Sequence, residues 1–312
     1  MGARTYNNPD GCTAFSDVCT LEGTLYGYRP LIGANAFFAA FFGLCLLAHI
    51  ALGIKYKTWT YMIALGFGCL GELLGYIGRI MLWDDVFSQI GFQIQICCLI
   101  ISPAFVTGGI YLTLKHIVLN FGEQWSRLRP NWYTWIFIAC DIFSLVLQGA
   151  GGGIAASADG GSDMVDVGTN LMITGVVFQV VCLIFFGYLF AEYVFRTQRR
   201  RDQLSPEAIE LFHKGSFRLF MLALFVAYIT IFARCVYRIP ELTGGWGSVQ
   251  QRNEPEFIGL EGVMIVIAVL VLTIFHPGFC FPALGNTIGK NKRAKIVDEK
   301  ASSVEMSNTS HA

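Results

Sequence analysis

RCVYRIPELTGGWGSVQQRNEPEFIGLE, residues 234–261, starts near the end of one long apolar run and stops just inside the next. It carries Arg234, Tyr237, Arg238, Glu241, Glu254, Glu256 and Glu261 around a turn-rich centre, Gly244-Gly245-Trp246-Gly247. Two apolar runs of membrane-crossing length joined by such a loop make a pair of transmembrane helices. A charge inside hydrocarbon is costly, so ionisable residues held there either staple helix ends together or line a functional polar mouth. From this stretch alone the two readings stand level.

Working outward, the same pattern repeats along the chain. Seven apolar segments are each long enough to cross the hydrocarbon core, about 20 residues for a helix. They lie at 30–54, 59–82, 90–114, 133–156, 168–194, 216–237 and 257–282. The composition agrees: 54% hydrophobic, 14% charged and a mean hydropathy of +0.54, where soluble chains carry about a quarter charged residues. The expected fold is therefore an all-α polytopic membrane protein. Residues 1–29 form a polar tail, 30–285 the seven-helix domain and 286–312 a polar, disordered tail. The first 29 residues lack the basic head and apolar core of a signal peptide, so the first helix is expected to act as its own insertion signal.

Basic residues set the orientation. Lys55, Lys57, Lys115, Arg127, Arg129, Arg196, Arg199, Arg200, Arg201, Lys214, Lys290, Lys292, Arg293, Lys295 and Lys300 fall on one side, fifteen in all. Only Arg4, Arg29, Arg238 and Arg252 fall on the other. This predicts an outer N-terminus and a cytosolic C-terminus. Eight of the ten cysteines lie in apolar segments as small hydrophobes. Cys12 and Cys19 lie in the polar tail, where an extracellular setting would allow a local disulfide.

Several polar residues lie inside the spans. In GELLGYIGR, Glu72 and Arg79 are seven apart and share a helix face, among Gly68, Gly71, Gly75 and Gly78. This is a close-packing seam, a polar cavity wall, or both on different faces. In DIFSLVLQGAGGG, Asp141 and Gln148 repeat the spacing, with Ser144 on the same side. Asp141 falls ~12 Å into the bilayer at about 1.5 Å per residue, which favours a cavity lining. The glycines at 149 and 151–153 are expected to let that helix end unwind. Pro103 in the third span should bend it, either as shape or as the hinge of a lateral opening.

Other chemistry is missing. The histidines, His49, His116, His213, His276 and His311, form no HxxxH pair of the kind expected of a zinc hydrolase of lipid amides. No Walker A, GxSxG, CxxC or HExxH motif occurs. The reading is thus no enzyme, no metal and no cofactor. The formal net charge of zero gives no reason to expect nucleic acid.

The segments GELLGYIGR (71–79), SPAF (102–105) with Tyr111, DIFSLVLQGAGGG (141–153), RCVYRIPE (234–241), Glu254 and FHPG (275–278) together resemble the fungal lipid-translocating exporter family, the aminocholesterol-resistance-like seven-span proteins. The resemblance runs from about residue 26 to 285. It implies a plasma-membrane or endomembrane protein linked to export or flip of sphingoid long-chain bases, resistance to toxic amphiphiles, or porphyrin and heme transport. The family's paired Arg and Tyr motif matches Arg234, Tyr237, Arg238 and Glu241. Its Asp in span seven falls on Glu261, and Pro255 replaces its usual aromatic residue.

The combined expectation is a lipid transporter, most simply of a sphingoid long-chain base, at the plasma membrane. Its partners would be the bilayer and an amphiphilic small molecule. Glu72, Asp141 and Glu261 would attract the amine. Arg79, Arg234 and Arg238 would hold those carboxylates ionised and meet any phosphate. Gln148, Tyr237, Glu241 and Glu254 would complete the polar lining. The rival is a seven-span receptor or regulator of lipid asymmetry, which has the same fold.

Overall fold

The computed structural model of the chain describes residues 20–21, 24, 26–121, 127, 130–157, 163–199, 209, 213–244 and 248–280. Cys12, Cys19 and the 286–312 tail lie outside them. Seven helices are long and apolar enough to cross a membrane. They are α1 (Ile32–Tyr56), α2 (Trp59–Asp84), α3 (Gln89–Phe121), α4 (Pro130–Ser157), α5 (Asp163–Arg199), α6 (Gly215–Thr243) and α7 (Glu254–Cys280). The described residues contain no strand. Helices satisfy every backbone group within the segment, which hydrocarbon demands. The bundle is a multi-pass membrane protein whose outward faces carry large apolar side chains such as Phe37, Leu44, Val146 and Phe195.

Several helices outrun the apolar segments. α3 continues seven residues past Leu114, α5 begins at Asp163 and ends at Arg199, and α6 runs on through Pro240 to Thr243. The extensions are polar or amphipathic turns that no hydropathy window includes. The extension of α6 carries Glu241 on rigid helix.

Tight joints set the order of packing. α1 turns into α2 through Lys57, whose φ of 56° is left-handed. Thr58 N–H then donates to the Gly53 carbonyl at 3.0 Å. Along α2 the glycine face meets α3. A Cβ at Gly75 would lie 2.5 Å from Leu99, and one at Gly78 would lie 2.8 Å from the Gly91 carbonyl oxygen. The close-packing reading of that stripe is therefore correct. α4 and α5 meet in the same way. A Cβ at Gly151 would come within 2.5 Å of the Gly168 carbonyl oxygen. Here the structure corrects an expectation: α4 does not unwind at its glycines but stays helical to Ser157. Gly151 serves helix contact, because only a hydrogen fits between the two backbones.

α7 is composite. One α-turn at Glu254–Glu256 leads into a π-helical stretch, Phe257–Val263, and then into α-helix again at Met264–Ile274. The helix breaks at Phe275 before a last turn, Pro277–Cys280. π-turns are rare and frequently mark functional positions. This one carries Glu261.

Candidate functional site

At one end of the bundle lie the N-terminus of α1, the C-termini of α2 and α6 and the start of α7. Arg234, Arg238 and Glu241 share a face of α6, spaced four and three residues apart. Arg234 and Arg238 both donate to the same oxygen of Glu261, Arg238 at 2.7 Å. Arg238 also donates to Glu241 at 3.0 Å. Glu261 is 1% exposed, and its other oxygen has no hydrogen-bond partner among the described residues. Glu72, fully buried on α2, lies within electrostatic reach of Arg234, Arg238 and Glu261. Neither of its oxygens meets a donor of ordinary geometry among the described residues. The neighbouring Ser102 hydroxyl donates instead to the Gly68 carbonyl, at 2.7 Å. Three carboxyl groups thus surround two guanidiniums.

Pro103 explains why Arg234 fits here. A proline has no N–H to give the carbonyl four residues earlier, and that carbonyl belongs to Leu99. Arg234 donates to it at 2.6 Å. The sequence reading took Pro103 for a bend. Its observed consequence is an open acceptor inside the bundle, filled from α6.

Arg79 builds a second cluster. It does not pair with Glu72, although the two share a helix. It donates to Asn35 of α1 at 3.0 Å and to the Tyr28 hydroxyl at 3.1 Å, and approaches Glu254 at 3.5 Å. Its guanidinium stacks 3.9 Å above the Phe257 ring, a cation–π contact. Glu254 accepts from the Leu31 backbone at 2.6 Å. These contacts tie the segment before α1 across the bundle end. Tyr237 is half-buried and forms no hydrogen bond with the described residues.

Asp141 and Gln148 sit apart from both clusters. Asp141 is 4% exposed and accepts from Thr107 of α3 at 3.1 Å. Its second oxygen meets no donor of ordinary geometry among the described residues, although the Tyr111 hydroxyl lies close enough to interact with it. Gln148 turns to α5 instead. It donates to Ser144 at 2.7 Å and to Gln179 at 3.2 Å, while Ser144 donates to the Gly175 carbonyl at 2.9 Å. The shared spacing of seven therefore produced no shared contact.

These two residues border open space. Two cavities of about 470 and 330 Å³ run along the seam between α3 and α4 and share Ile142 and Leu145 as lining. Gln148 lines the larger and Asp141 the smaller. Gln89 and Gln93 add polar groups to the larger and Thr60 to the smaller, the remaining lining is mainly apolar, and both fall within the 300–1,000 Å³ range of ligand sites. Gly108, Gly149 and Gly153 contribute to the open volume, because a Cβ at any of them would meet nothing within 4 Å. The arrangement is a lateral groove with a buried carboxylate in its wall, suited to an alkyl chain ending in a cation.

Sequence reasoning missed Asn35, Tyr26, Tyr28 and Thr107, and left Gln95, a polar residue at the start of the third span, out of the site. Asn35 had a signal, as an amide among the aromatic and aliphatic residues of the first span. Thr107 had none, since threonines commonly satisfy their own helix.

The family model described as RTA1 like protein matches residues 65–284, a stretch that contains all ten candidate site residues. The chain belongs to the RTA1-like family. It is 33% identical over 297 residues to the sphingoid long-chain base transporter RSB1 of Saccharomyces cerevisiae, covering 86% of this chain and 77% of that protein. It is 29% identical over 237 residues to protein RTM1 of the same yeast, covering 73% of each. To yeast protein RTA1 it is 24% identical over 281 residues, covering 81% of this chain and 84% of the relative. No solved structure matches the chain. The family expected from the sequence is therefore the correct one.

Proposed function

We propose that this member of the RTA1-like family moves a long-chain base, or a similar cationic amphiphile, across the bilayer at the plasma membrane. It would do so without acting as an enzyme, and the activity would confer resistance to such toxic compounds. The observation that carries the reading is the α3–α4 groove, apolar over most of its lining, with Asp141 buried in its wall and one carboxylate oxygen without a donor of ordinary geometry. An alkyl tail lies in such a groove at no polar cost, while an ammonium group meets the carboxylate. Similarity to the yeast transporter RSB1 supports the same chemistry. The N-terminus is proposed to face outward, on the asymmetry of basic residues in the loops.

In this reading the Arg234–Arg238–Glu261 network anchors α6 to α7 and α3, and the groove carries the ligand. Proteoliposomes loaded with labelled sphinganine test it. Asp141→Asn should lower the transport rate about tenfold, equivalent to ~1.4 kcal/mol of lost interaction, with the amount of folded protein unchanged. A wild-type rate no faster than in protein-free vesicles would reject transport and favour a receptor or regulator.

A further inference from the structure

Near the loop between α6 and α7 a further, much smaller cavity of about 20 Å³ touches Tyr26, Gln95, Arg238 and Glu241. Ile96, Ile100 and Met172 line both this cavity and the larger groove cavity. Three apolar side chains thus belong to the walls of both the groove and a small chamber that Tyr26, Gln95, Arg238 and Glu241 make partly polar. Ile96 and Ile100 stand on successive turns of α3, and Met172 faces them from α5. Met172 is backed by α4 at its glycines, since a Cβ at Gly151 would lie 2.8 Å from its Cγ and one at Gly152 would lie 3.7 Å from its sulfur.

We propose that Ile96, Ile100 and Met172 form a gate, and that the chamber behind it receives the amino-alcohol head group of a long-chain base whose tail stays in the groove. The inference rests on the transport reading above and assigns it a head-group site. Gln95 is 2% exposed and donates to the Tyr26 hydroxyl at 2.8 Å. Its carbonyl oxygen has no partner among the described residues. The Tyr26 hydroxyl accepts that bond and keeps its own proton to donate. Glu241 adds a carboxylate, partly balanced by Arg238. The chamber therefore offers an amide acceptor, a phenolic donor and an anionic oxygen side by side. An ammonium with a neighbouring hydroxyl uses all three, whereas a plain alkylamine has no oxygen to accept from Tyr26 and no hydroxyl to share the two acceptors with its ammonium.

The chamber in this state holds about one water, so a head group enters only when the wall moves. Methionine suits a moving wall, being unbranched and flexible. Gln95 and Thr107, the partner of Asp141, are twelve residues apart on α3, ~18 Å at 1.5 Å per residue. Asp141 and the chamber then act as two head-group stations along one tail groove.

The test uses the full-length protein in proteoliposomes with two labelled substrates, sphinganine and an alkylamine of equal chain length without hydroxyls. Wild-type protein should move sphinganine at least fivefold faster. Gln95→Leu should bring the two rates within twofold of each other, and Ile100→Ala with Met172→Ala should raise both rates at least threefold. A sphinganine preference unchanged in Gln95→Leu overturns the head-group chamber. Rates unchanged or lowered in the double alanine variant overturn the gate. A wild type that moves neither substrate overturns the transport reading itself, and the gate with it. Should Gln95→Leu fail to fold, Tyr26→Phe, which removes only the hydroxyl, should halve the preference, and an unaltered preference there overturns the chamber equally.

Discussion

The ion network of α2, α6 and α7 and the groove between α3 and α4 divide the polar residues of the spans between two kinds of environment. In the first, charge is dense and space is scarce: Arg234, Arg238, Glu241 and Glu261 are joined by ion pairs with Glu72 close by, and the void that Arg238 and Glu241 border holds only about 20 Å³. In the second, space is generous and charge is nearly absent. Asp141 alone carries a formal charge along cavities of about 470 and 330 Å³. Buried ion pairs need tight geometry to offset their desolvation, so a network of them fills its own volume. A groove that accepts hydrocarbon needs the opposite. The contrast separates two roles that a charge in a span can take: closing a network on itself, or facing space that a ligand could fill.

The largest test of this contrast falls on Glu261. Glu261→Gln leaves two guanidiniums facing a neutral amide in a packed site, at a cost of about 3–5 kcal/mol. The expected outcome is a sharp fall in thermal stability in detergent and in membrane abundance. A variant of normal stability that loses only transport would move Glu261 from the staple to the ligand path. Next comes a pair of glycines two residues apart on α4. Gly151→Ala places a methyl group 2.5 Å from a backbone oxygen of α5, and overpacking of this kind costs about 1–3 kcal/mol. Its unfolding temperature should drop clearly. Gly149→Ala, by contrast, meets open space and gains helix propensity of up to about 1 kcal/mol. It should be as stable as the wild type or slightly more so, while Gly149→Phe at the same position should obstruct the groove and slow transport. Equal destabilisation by both alanine variants would mean that the groove is closed in the membrane.

Much of this fold was legible because a membrane span is a one-dimensional signal: twenty apolar residues need no partner to be recognised. The Arg234–Glu261 pairing was also within reach, since a short loop returns the chain and the opposed charges face each other across it. Glu72 and Arg79 show the limit. Their spacing put them on one face of α2, but which helix each would meet depends on how α1 and α7 cross it, and Asn35 and Phe257 took Arg79 away. The glycines of α4 show another. A run of glycine is compatible with unwinding or with close contact, and only the matching Gly168 on α5 decides between them.

Pro103 has a consequence for how the chain is made. Helices enter the bilayer in the order of synthesis, and α3 precedes α6 by some 130 residues of translation, the sequence separation between Leu99 and Arg234 being 135. The carbonyl that the proline leaves open is therefore already in the membrane when Arg234 arrives. Glu261, on the last helix, comes later still. Over that interval the Leu99 oxygen is an acceptor that Arg234 can meet before Glu261 has been made, so the proline is expected to ease assembly of the bundle as well as to shape it.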